Sequence, residues 1–166
     1  MTSFNDVVKW RRMFHQYPEL SKYEYKTTQR IKDILTSYNI KMIDIPMETG
    51  LVAEIGQGEK CIAVRTDIDA LPIQEQVSQD FTSTNDGVMH ACGHDIHMAS
   101  ILAIATKLKE EEEQLNGRVR FLFQPAEELG YGAKAMAKTN ALDDVQAIVG
   151  FHNYPTLDIG EFAIKS

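Results

Sequence analysis

Residues 88–97, VMHACGHDIH, place three histidines, one cysteine and one aspartate within ten positions of a chain that holds only five histidines and two cysteines. Cys92 and His94, two positions apart, are soft-metal ligand types. The same pair also suits a thiol nucleophile with its base. The rest of the chain favours the metal. Asp67 and Asp69 close the apolar run CIAVRTDIDA, Glu127 and Glu128 follow RVRFLFQ, and His152 follows DVQAIVG. Two adjacent carboxylates do not easily share one task, so one as ligand and the other as general base is the natural division. A thiol-nucleophile enzyme leaves that pair without a use. A third reading is non-catalytic: one metal staples the fold, and the glutamates do not matter to activity.

Positioning these groups requires an alternation of helices and strands. Apolar spacing predicts helices over about residues 3–16, capped by Ser3 or Asn5, and about 21–38, with Pro18 between them. LVAEIGQG and CIAVRTDIDA are expected strands joined by a turn at residues 56–60, followed by an irregular loop to Val88. A long helix is expected over about 94–115, apolar nearly all round at first, with Glu110–Glu113 as a solvated acidic end. A strand at RVRFLFQ, a helix over about 128–138 and a strand at DVQAIVGFHNY complete the order. Strands followed by helices indicate an α/β fold, a layered sheet flanked by helices. In such sheets polar groups at strand ends build sites, and Cys92 at the head of the long helix is placed where the thiolate is favoured.

Composition narrows the function classes. A net charge of −7 lacks the basic footprint of a nucleic-acid partner. Two cysteines are too few for a disulfide framework, and Cys61 lies in an apolar run that should be a buried strand. No stretch approaches the ~20 apolar residues of a membrane span, and none at the N-terminus resembles a signal peptide. A cytoplasmic protein without a membrane partner is expected.

RRMFHQYPELSKYE, VRTDIDALPIQE, MHACGHDIH, FLFQPAEELGYGAKAM and VGFHNYP occur in an order and spacing that resembles the aminoacylase-like metallo-amidohydrolase and metallopeptidase family. That family includes N-acyl-amino-acid amidohydrolases, hippurate hydrolases, auxin-conjugate hydrolases and N-acetyldiaminopimelate deacetylases. The resemblance implies a small N-acyl amino acid substrate, hydrolysed by water activated on two divalent metal ions, zinc or manganese, with cobalt or nickel also suitable. It matches Cys92, His94, Glu128 and His152 to metal ligands, with the Cys92 thiolate as a bridge, and Glu127 to the general base. Asp67 matches a carboxylate that orients the ligands. His90 is assigned a supporting part beside the ligands; His97, one turn beyond His94, either hydrogen-bonds a ligand or packs. Family members are more than twice as long. Residues 1–166 are therefore expected to be the N-terminal portion of a catalytic domain, truncated before an inserted dimerisation domain and a C-terminal remainder that brings a further ligand histidine. The resemblance implies a homodimer for the full-length protein, and weak metal binding without activity for this stretch alone.

Overall fold

The computed structural model describes residues 2–164; Lys165 and Ser166, at the end of the matched pattern, lie outside the described residues. Helix α1 (Phe4–Gln16) begins where the side chains of Ser3 and Asp6 each satisfy the other's backbone N–H. The Ser3 hydroxyl accepts from the Asp6 N–H at 3.2 Å, and the Asp6 carboxylate accepts from the Ser3 N–H at 3.0 Å. That reciprocal cap selects Ser3 over Asn5. Helix α2 (Tyr25–Ser37) starts later than its apolar spacing suggests, because residues 21–22 form a turn in which Lys22 is left-handed.

The strands are β1 (Lys41–Ile43), β2 (Leu51–Gly56), β3 (Cys61–Asp67), β4 (Arg118–Gln124) and β5 (Ala147–Gly150). They form one sheet in the order β1-β2-β4-β3-β5. β2 and β3, consecutive in sequence, are not neighbours: β4 lies between them, antiparallel to β2 and parallel to β3. Its residues from Val119 to Gln124 are all buried, as a strand covered on both faces requires. β1 is too short for alternation to betray it in the sequence.

Helix α3 (His94–Glu110) makes the crossover from β3 to β4 and packs against both β3 and α1. This explains why its first turns are apolar nearly all round. Phe14, Ile31, Leu35, Met98, Ile101, Leu102, Phe121 and Phe123 form the main core between the helices and one sheet face. The other face carries a smaller core around Val52, Leu122 and Met136, covered by the short helix α4 (Gly132–Met136). The acidic end of α3 is not simply solvated: Glu112 accepts from the Gly56 N–H at 2.9 Å and is paired with Lys109. β5 is an edge strand whose Ile148 and Val149 are more than half exposed. The fold is thus the expected α/β sheet flanked by helices. Among the described residues no helix is long and apolar enough to cross a membrane.

Candidate metal centre

Three segments converge at the C-terminal ends of the parallel strands. β3 ends on Asp67, with Asp69 two residues on. β4 ends on Gln124, and the turn after it carries Glu127 and Glu128. β5 ends on Gly150, and His152 follows two residues on, outside any helix or strand. The head of α3 comes up between them. Its N-cap, Gly93, has φ +87°, and a Cβ there would lie 2.6 Å from the Asn153 side chain, so the tight entry of α3 requires glycine.

His94 is the hub. Its ring is fully buried, and its Nδ1–H donates to the Asp69 carbonyl at 2.8 Å. A carbonyl only accepts, so Nδ1 carries a proton, and in the neutral ring Nε2 carries the lone pair. Nε2 is buried with no hydrogen-bond partner. It faces Asp67 Oδ1 at 3.7 Å, Glu128 Oε1 at 3.7 Å and Glu127 Oε2 at 3.9 Å. His152 repeats the device: Nδ1–H donates to the Asn153 carbonyl at 2.7 Å, and Nε2 lies 3.3 Å from the Cys92 sulfur. Two imidazoles, each tied by Nδ1 to a backbone carbonyl and each offering Nε2 to a common centre, are the arrangement of metal-ligating histidines. Cys92, His94 and His152 bring donor atoms within 4.8 Å of one another, as do His94, Glu127 and Glu128. Glu128 Oε1 is also buried and without a partner. The donor set therefore fits divalent cations, and the charge does too. Burial opposes charge on the His94 ring, yet Asp69 and Asp67 raise it above the ordinary histidine range. The surroundings favour positive charge at this point.

The thiol behaves otherwise than its place near a helix N-terminus suggests. Burial, then the negative charges of Glu128, Asp67 and Glu127, push the Cys92 thiol up to about 11. Without a cation, burial and the carboxylates together outweigh the helix end, and the sulfur keeps its proton at neutral pH.

Asp67 and His97 back the centre. His97 Nδ1–H donates to Asp67 Oδ1 at 2.7 Å, and Arg65 holds the other oxygen at 2.9 Å. The His97 ring packs against those of His94 and His152, with centroids 5.5 and 4.6 Å away, and those two lie 6.1 Å from each other. His97 Nε2 meets Asn153 twice, 2.5 Å from the side-chain oxygen and 3.1 Å from the backbone N–H. His97 therefore links Asp67 to the segment that carries His152. His90 is not drawn into this set. Its ring is buried, both nitrogens lack partners, and burial holds it down to about 4, so it is neutral. Asp69, marked in the sequence only by its place at a strand end, and Asn153, to which no role was assigned, join the site as positioning groups. Asp69 binds His94 through its carbonyl and the Glu128 N–H through its carboxylate at 3.1 Å.

Asp95, beside His94, points the opposite way into α1. It accepts from Arg11 Nε at 2.9 Å and His15 Nδ1 at 2.8 Å, while His15 Nε2 meets Glu75 at 3.0 Å. A carboxylate on each ring nitrogen favours the imidazolium. Asp95 raises His15 above its ordinary value against the effect of burial, with Glu75 adding to the shift. A raised histidine contributes stability that is complete below its unfolded pKa, about 6.5, and is lost as pH rises through the folded value. His15→Gln is therefore expected to cost about 3–5 kcal/mol near about pH 6 and clearly less near about pH 9, measured by denaturant unfolding. Equal losses at both would show that His15 is neutral in the folded chain.

Residues 63–166 match peptidase family M20/M25/M40. The chain is 46% identical over 162 residues to an N-acetylcysteine deacetylase of Bacillus subtilis, covering 96% of this chain and 43% of that protein. Among solved structures, a dinuclear metal binding peptidase of the M20 family from Bacillus subtilis superposes with a TM-score of 0.90 at 47% identity, over 92% of this chain and 44% of that one. A putative aminohydrolase from methicillin-resistant Staphylococcus aureus superposes with a TM-score of 0.87 at 37% identity, over 92% and 41%. The chain spans a little under half the length of these relatives.

Proposed function

Because the chain belongs to peptidase family M20/M25/M40, we propose that its converging Cys, His and Glu side chains are the metal-binding and proton-transfer groups of an amidohydrolase that cleaves N-acyl amino acids. Residues 1–166 form the N-terminal portion of the catalytic domain in this reading, and the activity belongs to the protein in which that domain is complete. A homodimer and a cytoplasmic location are part of the same proposal. The observation that carries it is the bare, buried Nε2 of His94, facing two glutamates and an aspartate within 3.9 Å.

Cys92, His94, Glu128 and His152 would hold two divalent ions. Zinc or manganese suits the set, and cobalt or nickel would also fit. When bound, such ions polarise the scissile carbonyl and make water more acidic. The chain's own groups do the rest. Glu127, the more exposed glutamate of the pair, takes a proton from the attacking water and delivers it to the departing amine. Asp67, fixed by His97 and Arg65, keeps negative charge beside His94. His97 and Asn153 hold the segment from which His152 reaches in.

The deacetylase relative acts on N-acetylcysteine, which places a short acyl group on an amino acid first among the substrates. An N-acetyldiaminopimelate is the alternative within the same chemistry. The test is amine release by the metal-loaded complete protein from N-acetylcysteine, N-acetyldiaminopimelate and a hippurate. Hydrolysis that chelation abolishes and zinc or manganese restores is the expected result. One tightly held metal with no hydrolysis of any of the three would identify a structural site instead.

A further inference from the structure

The turn after β4 sends both glutamates toward His94, and its backbone is unusual. Ala126 is left-handed, with φ +49°, a conformation that side chains other than glycine adopt rarely. Pro125, just before it, is closely fitted. A Cβ on Gly50 would stand 2.5 Å from the proline ring, and one on Gly132 would stand 1.5 Å from the Pro125 carbonyl oxygen. The Ala126 carbonyl accepts from the Tyr131 and Gly132 N–H groups at 3.2 and 3.1 Å. Its N–H donates to Glu24 Oε1 at 2.7 Å, across 102 positions of sequence.

Glu24 is an odd residue to find there. It lies at the start of α2, is fully buried, and its second oxygen has no hydrogen-bond partner. Burial raises its carboxyl above the usual range. An apolar residue would fill the space at lower cost, but it would leave the Ala126 N–H without an acceptor.

We propose that Glu24 is a positioning residue for Glu127 and Glu128: by holding the Ala126 N–H it keeps the left-handed turn that aims both carboxylates at the metal centre. This rests on the assignment of Glu128 as a ligand. Asp69 acts on the same turn from the other side, through the Glu128 N–H. Released from Glu24, Ala126 is free to relax to negative φ, and that rotation would carry the side chains after it away from His94.

Amide hydrogen exchange at Ala126 and calorimetric titration of the full chain with Zn²⁺ test this together. Glu24→Leu is expected to speed Ala126 exchange at least about tenfold and to weaken Zn²⁺ binding about 10–100-fold, the range for groups that orient ligands. Glu24→Gln, whose amide oxygen still accepts, should stay within about threefold of wild type on both counts. Adding Ala126→Gly to Glu24→Leu should recover most of the Zn²⁺ affinity, because glycine holds positive φ without strain. Should Glu24→Leu fail to fold, Glu24→Asp serves, since it keeps the carboxyl but draws it short of the Ala126 N–H. Wild-type exchange or wild-type Zn²⁺ affinity in Glu24→Leu or Glu24→Asp would overturn the proposal, provided Glu128→Gln loses Zn²⁺. If Glu128→Gln binds Zn²⁺ as wild type does, the ligand assignment beneath the proposal is what fails.

Discussion

Glu127→Gln is expected to lower turnover of the complete protein by about 10²–10⁴-fold, the usual weight of a general base, while the metal content stays unchanged. Glu128→Gln is expected to lose metal. The two side chains leave the same turn yet meet different surroundings. Glu128 is the less exposed, and its Oε1 is buried, unpartnered and 3.7 Å from His94 Nε2. A carboxylate oxygen kept from water without a protein donor is poised for a cation. Glu127 is 37% exposed and can reach a water and a leaving amine. Gln keeps the size of either residue but can neither take a proton nor supply a full negative charge. Elemental analysis alongside single-turnover rates separates the outcomes. Equal metal loss in both variants would sink the division of roles.

Metal affinity is expected to climb about tenfold per pH unit across the neutral range from Cys92 alone. Burial and the nearby carboxylates push this thiol up to about 11, so binding must expel its proton, and each unit of pH below that value makes the expulsion tenfold harder. His94, also raised, adds to the slope wherever it is protonated. Thiol labelling gives the matching result. Cys92 is partly accessible while Cys61 is buried in β3. Metal-free chain should label at Cys92, faster as pH rises toward 11, and added Zn²⁺ should suppress the reaction. Cys61 should react slowly throughout. Labelling of Cys92 that ignores Zn²⁺ would remove it from the ligand set and overturn the centre as described.

The donor residues were legible in the sequence because each interrupts an apolar run at the end of a strand or the head of a helix. Cys92, His94, the glutamate pair and His152 stand out by residue type alone, and the structure brings them together. Their supports were not legible, because each depends on where distant segments land. Asn153 matters through its fit against Gly93 and its bond to His97. Glu24 matters through one amide on the far side of the fold. The short α4 has a similar cause. Apolar spacing suggests a helix over about 128–138, but the left-handed Ala126 and the turn closed by Gly130 N–H on the Glu127 carbonyl delay it to Gly132. β5 stops at Gly150 because its pairing with β3 ends opposite Arg65, which frees the chain beyond to bend toward the centre.

The strand order has a consequence for how the chain folds as it is made. β1 and β2 can zip together on their own, being consecutive and antiparallel. β2 and β3 cannot, since their only shared partner is β4. All of α3 must be synthesised before that partner exists. At about 5–20 residues per second, the interval from Asp67 to Gln124 lasts several seconds, during which β2 has only β1 beside it and β3 has no strand to pair with. Contacts this distant in sequence form slowly in any case. The central strand acts as a late keystone: its arrival closes the sheet and, through the turn that follows, delivers the two glutamates.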